Sequence, residues 1–361
     1  MNMRCTVVIR RAFPHKPHLP IKRVTIFLAL MILAAIVSGC GPGSTRLATT
    51  PSQVGLLSTY PGVLDAVMAA DGLRGPVVMY GGRPFMANVT PSFDTWLWNG
   101  RVWQRYTQAD GPELSSPSIG YDRGSGQLLL VGISGGSPAH VDTWTWTDRG
   151  WSRLRPATAL PTYWAASTLV PFNSGLLLYL ERPITQGVAE GTYDMWFWNG
   201  KDWRLQANSS ATPDRFVQHF VSLPGGGAGA VSGTRVARWT GTTWDERQAS
   251  NGPATISAVA IDPGSGHLVA IGSRRTSIPD LPPPVDSSFV FDGANWTSTP
   301  LPADLKGKVG MEMAGYAAQP AIALWGGTQG YGNAGAPQTG SFQAAMWYWN
   351  GRQWTRVAQG A

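Results

Sequence analysis

The sequence predicts an all-β fold, a closed ring of six four-stranded antiparallel blades. Three observations predict it. A short aromatic hairpin recurs six times, its final tryptophans 48, 52, 41, 52 and 58 residues apart, which is the length of a blade rather than of a solenoid turn. The 44 glycines and 28 prolines among 361 residues supply turns for many short strands. Seventeen tryptophans, in a chain only 14% charged, provide bulky apolar filling for the space between layers.

The chain opens on a segment of a different kind. Arg4, Arg10, Arg11, Lys16, Lys22 and Arg23 precede an uncharged run of fourteen residues, VTIFLALMILAAIV at 24–37. Such a run is too short to span a bilayer comfortably and reads as the apolar region of a signal peptide. Val37-Ser38-Gly39-Cys40 follows it and resembles a lipobox, where the thiol accepts the lipid and small neighbours admit the processing peptidase. Residues 1–39 are therefore expected to be a lipoprotein signal peptide, with Cys40 the lipid-attachment site. Residues 40–53 form the lipidated end and a flexible tether of small and polar residues, and 54–361 the ring. The protein is expected on the extracytoplasmic side of the cell membrane or envelope, held there by its lipid. Ile9-Arg10-Arg11-Ala12-Phe13 also looks like a twin-arginine export core. The arginines stand well ahead of a strongly apolar run, which fits the general secretory route better, and both routes stay open.

The leader distorts the charge. The formal net charge is +7, but residues 1–40 hold six basic side chains and no acidic one, so 22 basic residues face 21 acidic ones beyond it. A near-neutral chain lacks the electrostatic footprint of a nucleic-acid binder. Cys5 and Cys40 are the two cysteines. The ring therefore has no disulfide, and packing must hold it together.

The repeated unit reads as two strands around a tight turn. Its copies are DTWLWNGRVW (94–103), DTWTWTDRGW (142–151), DMWFWNGKDW (194–203), TRVARWTGTTW (234–244), SSFVFDGANW (287–296) and AMWYWNGRQW (345–354). Trp98, Trp146, Trp198, Trp239, Phe291 and Trp349 stand five positions before the final Trp. Alternation puts Trp96 and Trp98 on one face of a strand. Asn99-Gly100 is expected to supply the positive-φ residues of a two-residue hairpin, with Asn199-Gly200 and Asn350-Gly351 repeating it. A second hairpin lies upstream of each copy, clearest in SIGYDRGSGQLLLVG (118–132) and ISAVAIDPGSGHLVAIG (256–272). Its first strand is dense in Ala, Ser and Gly, as an innermost strand must be where six blades converge.

With the glycine pairs Gly81-Gly82 and Gly326-Gly327, the aromatic-x-Trp strands and the trailing tryptophans, about four fifths of the chain resembles the kelch and galactose-oxidase-like β-propellers. The resemblance implies the propeller fold and leaves the chemistry open. The copper and cross-linked tyrosine of galactose oxidase need a cysteine, and none follows Cys40. The sialidase signature Asp-x-Gly-x-x-Trp does not occur, and Trp-Asp, the mark of WD repeats, occurs once, at Trp244-Asp245.

Function must then be sought in the connections. His140, His219 and His267 fall in different blades without ligand spacing, so no metal and no cofactor is expected. His219, on an inner strand, either faces the axial channel or is hydrogen-bonded in the core. Glu181, Glu190, Asp280, Asp304 and Glu312 are scattered over different blades and read as solvated loop charges. The connections between second and third strands are long and dissimilar in five blades and short in the fourth, whereas the hairpin turns are short and uniform. Long irregular loops gathered at one end of a rigid scaffold are where ligands bind. They offer Arg83, His140, Glu181, Arg182, Arg274, Arg275 and Tyr331 as ligand-binding candidates for an acidic or carbohydrate-like partner. The reading is a non-catalytic binding or scaffold module at the envelope. The alternatives are a hydrolase or lyase acting on envelope or extracellular carbohydrate, and an assembly partner for an envelope protein.

Overall fold

The computed structural model describes residues 63–64, 66–72, 75–84, 92–136, 138–162, 164, 166–182, 192–209, 219–274, 285–329 and 344–357. The expected leader, Cys40 and the tether lie outside them, as do Arg275 and Tyr331. The described residues all fall in one compact unit, Leu56–Ala361. It is a six-bladed β-propeller.

Blade 1 comprises β2 (Val67–Ala70), β3 (Val77–Tyr80), β5 (Thr95–Trp98) and β6 (Trp103–Tyr106), with a two-stranded ribbon of β1 (Val63–Leu64) and β4 (Arg83–Pro84) beside it. Blade 2 is β7 (Leu114–Asp122), β8 (Gln127–Ser134), β9 (His140–Thr147) and β10 (Gly150–Leu154). Blade 3 is β11 (Ala166–Phe172), β12 (Gly175–Glu181), β13 (Tyr193–Trp198) and β14 (Trp203–Ser209). Blade 4 is β15 (His219–Ser222), β16 (Ala228–Ser232), β17 (Arg235–Trp239) and β18 (Trp244–Gln248). Blade 5 is β19 (Thr255–Ile261), β20 (Leu268–Ser273), β21 (Ser287–Phe291) and β22 (Trp296–Thr299). A 3-10 turn at Ala303–Leu305 leads to blade 6, with β23 (Lys308–Tyr316), β24 (Ala321–Gln329), β25 (Met346–Trp349) and β26 (Trp354–Val357).

Every pairing within a blade is antiparallel between strands adjacent in the blade's order, as the hairpin reading requires. The innermost strands touch in a cycle, β2 to β7, β11, β15, β19, β23 and back to β2. Small residues permit this crowding: a Cβ on Gly120 of β7 would stand 3.1 Å from the Leu169 carbonyl of β11.

The tryptophans fill the seams between blades. In each copy the aromatic five before the final Trp meets that Trp across the hairpin, with ring centroids 5.0–5.5 Å apart. Both rings face the preceding blade. Trp198 and Trp203 pack on Leu129 and Val131 of blade 2, and Trp349 and Trp354 on Val269 and Ile271 of blade 5. The seam between blades 6 and 1 has the same construction, since Trp98 and Trp103 pack on Ala323 and Met346. There Trp98 Nε1 donates to the Tyr348 hydroxyl at 2.6 Å and Trp103 meets Trp325 edge-on, so side chains close the ring. Five trailing tryptophans are buried, while Trp244 is half-buried.

Where the neighbouring blade offers a threonine, the trailing indole N–H donates to it. Trp151 Nε1 donates to Thr95 at 2.8 Å and Trp203 Nε1 to Thr143 at 3.0 Å. Each threonine stands eight residues before its own blade's final Trp. Val236 and Met346 occupy that place in blades 4 and 6, and there the Nε1 atoms of Trp296 and Trp103 are buried without a partner.

Candidate functional site

In an antiparallel four-stranded blade, the first and third turns share one end and the second-to-third connections lie at the other. The turn end is built by side-chain acceptors. Asn99 Oδ1 accepts the backbone N–H of Arg101 and Val102, both at 3.0 Å, and Asn199, Asp292 and Asn350 do the same in their blades. Positive φ falls on the glycine alone, at +98° in Gly100, and the asparagine is not in the left-handed region. This corrects the two-residue reading of Asn-Gly: four residues, 99–102, separate the paired Trp98 and Trp103. The asparagine serves through its side chain. In the first turns Asp122 and Asp262, both buried, accept from Ser125 and Ser265 at 2.6 and 2.7 Å.

The end bearing the long connections carries a ladder of charge pairs. Nine residues before the trailing Trp and two after it, third and fourth strands come together. Asp94 there accepts Arg105 at 2.6 Å, and Asp142 accepts Arg153. Blade 4 has the same two places with the signs exchanged, Arg235 and Glu246, 3.9 Å apart. In blade 3 the later place holds Leu205, and the carboxylate of Asp194 is taken from the other side. Arg182, the residue after β12, grips it through Nε at 3.0 Å and Nη2 at 2.5 Å.

The candidates from the sequence are thereby placed individually. His140, at the start of β9, is exposed, with Nε2 3.4 Å from the Asp142 carboxylate. Arg182 is the partner of Asp194, and Glu181 ends β12, half-buried. The backbone of Arg83 pairs with Leu64. Arg274 follows β20 and is exposed. His219 begins β15, and its Nε2 lies 3.0 Å from the Ile256 carbonyl of β19, a link between the inner strands of blades 4 and 5. Burial pushes its pKa below the ordinary imidazole value, so the ring is neutral and Nε2 carries the donated proton. Asp304 lies 3.8 Å from Arg356. Among the described residues, no three metal-ligating side chains are grouped.

Arg274 does not stand alone. A groove of about 450 Å³ is lined by Arg274 with Asn251, Gly252, Trp296, Thr297 and Ser298. The connection from blade 4 to blade 5 forms one wall. It is pinned by Ala249 N to the Thr234 carbonyl at 2.7 Å and Trp296 N to the Ser250 carbonyl at 3.1 Å. Directly after these anchors Asn251 is held at φ +59°. Gly252 is required because a Cβ would sit 2.9 Å from Trp296 and 3.0 Å from the Gly233 carbonyl. Sequence reasoning found Arg274 and missed the other lining residues. The signal was present in the repeat: the two ladder places, charged in blades 1, 2 and 4, are Ser287 and Ser298 in blade 5.

The geometry defines a six-bladed, four-stranded β-propeller whose long-connection end carries paired charges and a polar groove. The fold is similar to the structure of YjhT, with TM-score 0.55 and 10% identity over 83% of this chain and 99% of that one. It is also similar to the SapL1 lectin solved in complex with alpha methyl fucoside, with TM-score 0.51 and 13% identity over 84% and 99%. No protein-family model matches the chain, and no curated protein matches it in sequence.

Proposed function

We propose that the chain is a non-catalytic binding propeller displayed at the cell envelope through lipid on Cys40, with carbohydrate as its ligand class. The observation that carries this reading is the ladder. Asp94, Asp142 and Asp194, at the end with the long connections, are each committed to an arginine. Each is already held by a guanidinium of its own blade, so these carboxylates are not presented to a ligand as free acid–base groups. What this end offers instead is fixed hydrogen-bonding groups on a rigid ring, the equipment of a binder. Sugar as the ligand is supported by the SapL1 lectin, whose similar fold was solved with alpha methyl fucoside. Lipid anchoring is supported by the fourteen-residue apolar run and Val37-Ser38-Gly39-Cys40.

Two experiments test the reading. The full chain is screened against a panel of glycans and peptidoglycan fragments, with binding and product formation followed in the same samples. Saturable binding without turnover is expected, and turnover of any bound fragment makes the protein an enzyme. For the anchor, Cys40→Ala should leave unprocessed precursor and abolish metabolic labelling by palmitate. Normal processing and labelling of that variant would remove the lipid from the proposal.

A further inference from the structure

Blades 3 and 5 place an arginine at the same point of the repeat. Leu180 pairs with Asp194 in blade 3 and Gly272 with Ser287 in blade 5, so Arg182 and Arg274, each two residues beyond the paired position, are equivalent. Asp194 and Ser287 are equivalent too, both nine residues before the trailing Trp. In blade 3 the guanidinium holds that carboxylate with two hydrogen bonds. In blade 5 the carboxylate is replaced by a hydroxymethyl group. Asp286, next to Ser287, is turned to the Ser273 hydroxyl at 3.0 Å. Arg274 makes no ion pair among the described residues, and the groove beside it has no acidic side chain in its described lining. The protein thus shows in one blade what an arginine here binds, and in another leaves the arginine at an open groove.

We infer that this groove between the blade 4–5 connection and β22 binds an acidic saccharide, whose carboxylate takes on Arg274 the place that Asp194 takes on Arg182. The inference rests on the binding reading above and adds a site and a ligand class to it. The rest of the lining fits a sugar. Asn251, Thr297 and Ser298 bring polar side-chain and backbone groups that donate and accept, as ring hydroxyls require. Asn251 directly follows Ser250, whose carbonyl accepts the Trp296 N–H at 3.1 Å, so its place in the wall is fixed. Trp296 is 1% exposed, so it forms the floor and offers no face for stacking. Recognition therefore runs through polar groups. The volume of about 450 Å³ falls within the range of small-ligand pockets.

Calorimetric titration of the full chain with glucuronate, glucose and acetate tests the inference. Glucuronate should bind about tenfold or more tightly than either control, because only it presents carboxylate and ring hydroxyls together. Arg274→Gln should weaken glucuronate by about tenfold or more while leaving the melting temperature unchanged, since the side chain is exposed. Ser287→Asp, which installs the blade 3 carboxylate, should weaken it as strongly by occupying Arg274 from within. Acetate binding as well as glucuronate would reduce the groove to an anion site and overturn the saccharide. Equal binding of glucose and glucuronate, or unchanged binding in both variants, would overturn the role of Arg274. Either result leaves the binding reading intact if the glycan panel is positive, whereas conversion of glucuronate to product would sink that reading itself.

Discussion

Blades 3 and 5 are built on one template and differ in what the template is used for. Both fill their seam with an aromatic pair, Trp198–Trp203 at 5.1 Å and Phe291–Trp296 at 5.0 Å. Both place an arginine directly after the second strand. In blade 3 Trp203 donates to Thr143 of blade 2, and Arg182 grips Asp194. In blade 5 the equivalent Trp296 Nε1 is unpartnered in the seam, and Arg274 is exposed at a groove. The apolar part of the repeat sets geometry and is met in both blades. The polar part is set position by position and is where blades specialise.

The sharpest way to break the comparison is to remove its shared part. Trp203→Ala and Trp296→Ala delete side chains that are 2% and 1% exposed. Each should cost about 3–5 kcal/mol in urea unfolding, the usual range for a buried tryptophan truncation. Similar losses in the two blades would show that ring packing, and not the indole hydrogen bond, carries the seam. A loss below about 1 kcal/mol at either position would mean that the indole there is a surface group rather than core.

The next test concerns the arginines. Arg182→Gln strands the Asp194 carboxylate, which is 7% exposed, and should destabilise by about 1–3 kcal/mol, less than for a fully buried pair because the arginine is itself 30% exposed. The equivalent Arg274→Gln should change stability by no more than about 0.5 kcal/mol, as for other exposed positions. If the two variants lose stability equally, Arg274 is structural and blade 5 is merely a looser copy of blade 3.

These contrasts also mark what the sequence made legible. The six blades were readable because each rests on local spacing: a polar acceptor four residues before the Trp, a glycine in the turn between them, an aromatic five before. The asparagine's true role was hidden, since a residue that bends the chain and one that accepts two N–H groups leave the same letters. Arg182 and Arg274 were indistinguishable in their loops. What separates them is a residue on the facing strand, Asp194 or Ser287, and that pairing depends on register across a long connection. The seam closing blade 6 on blade 1 was likewise beyond local reading, because Trp98 and Tyr348 lie 250 residues apart.

The smallest expected effect lies where blade 5 meets blade 4 near the axis. His219 Nε2 donates to the Ile256 carbonyl, and burial lowers the imidazole pKa from its ordinary value of 6.5. The unfolded chain therefore binds a proton at a pH where the folded chain still does not. Stability contributed by the neutral ring is complete above about pH 6.5 and is lost progressively as pH falls below it. An imidazolium there would lie against Ile256 of the neighbouring inner strand, with no ion pair to an acid among the described residues. The hydrogen bond to Ile256 opposes the shift without cancelling it. Melting temperature should thus fall between about pH 7.5 and about pH 5.5, and His219→Gln, which keeps a donor and cannot titrate, should flatten that slope. A variant whose slope equals that of the wild type would assign the acid sensitivity to other groups and leave the seam between blades 4 and 5 indifferent to protons.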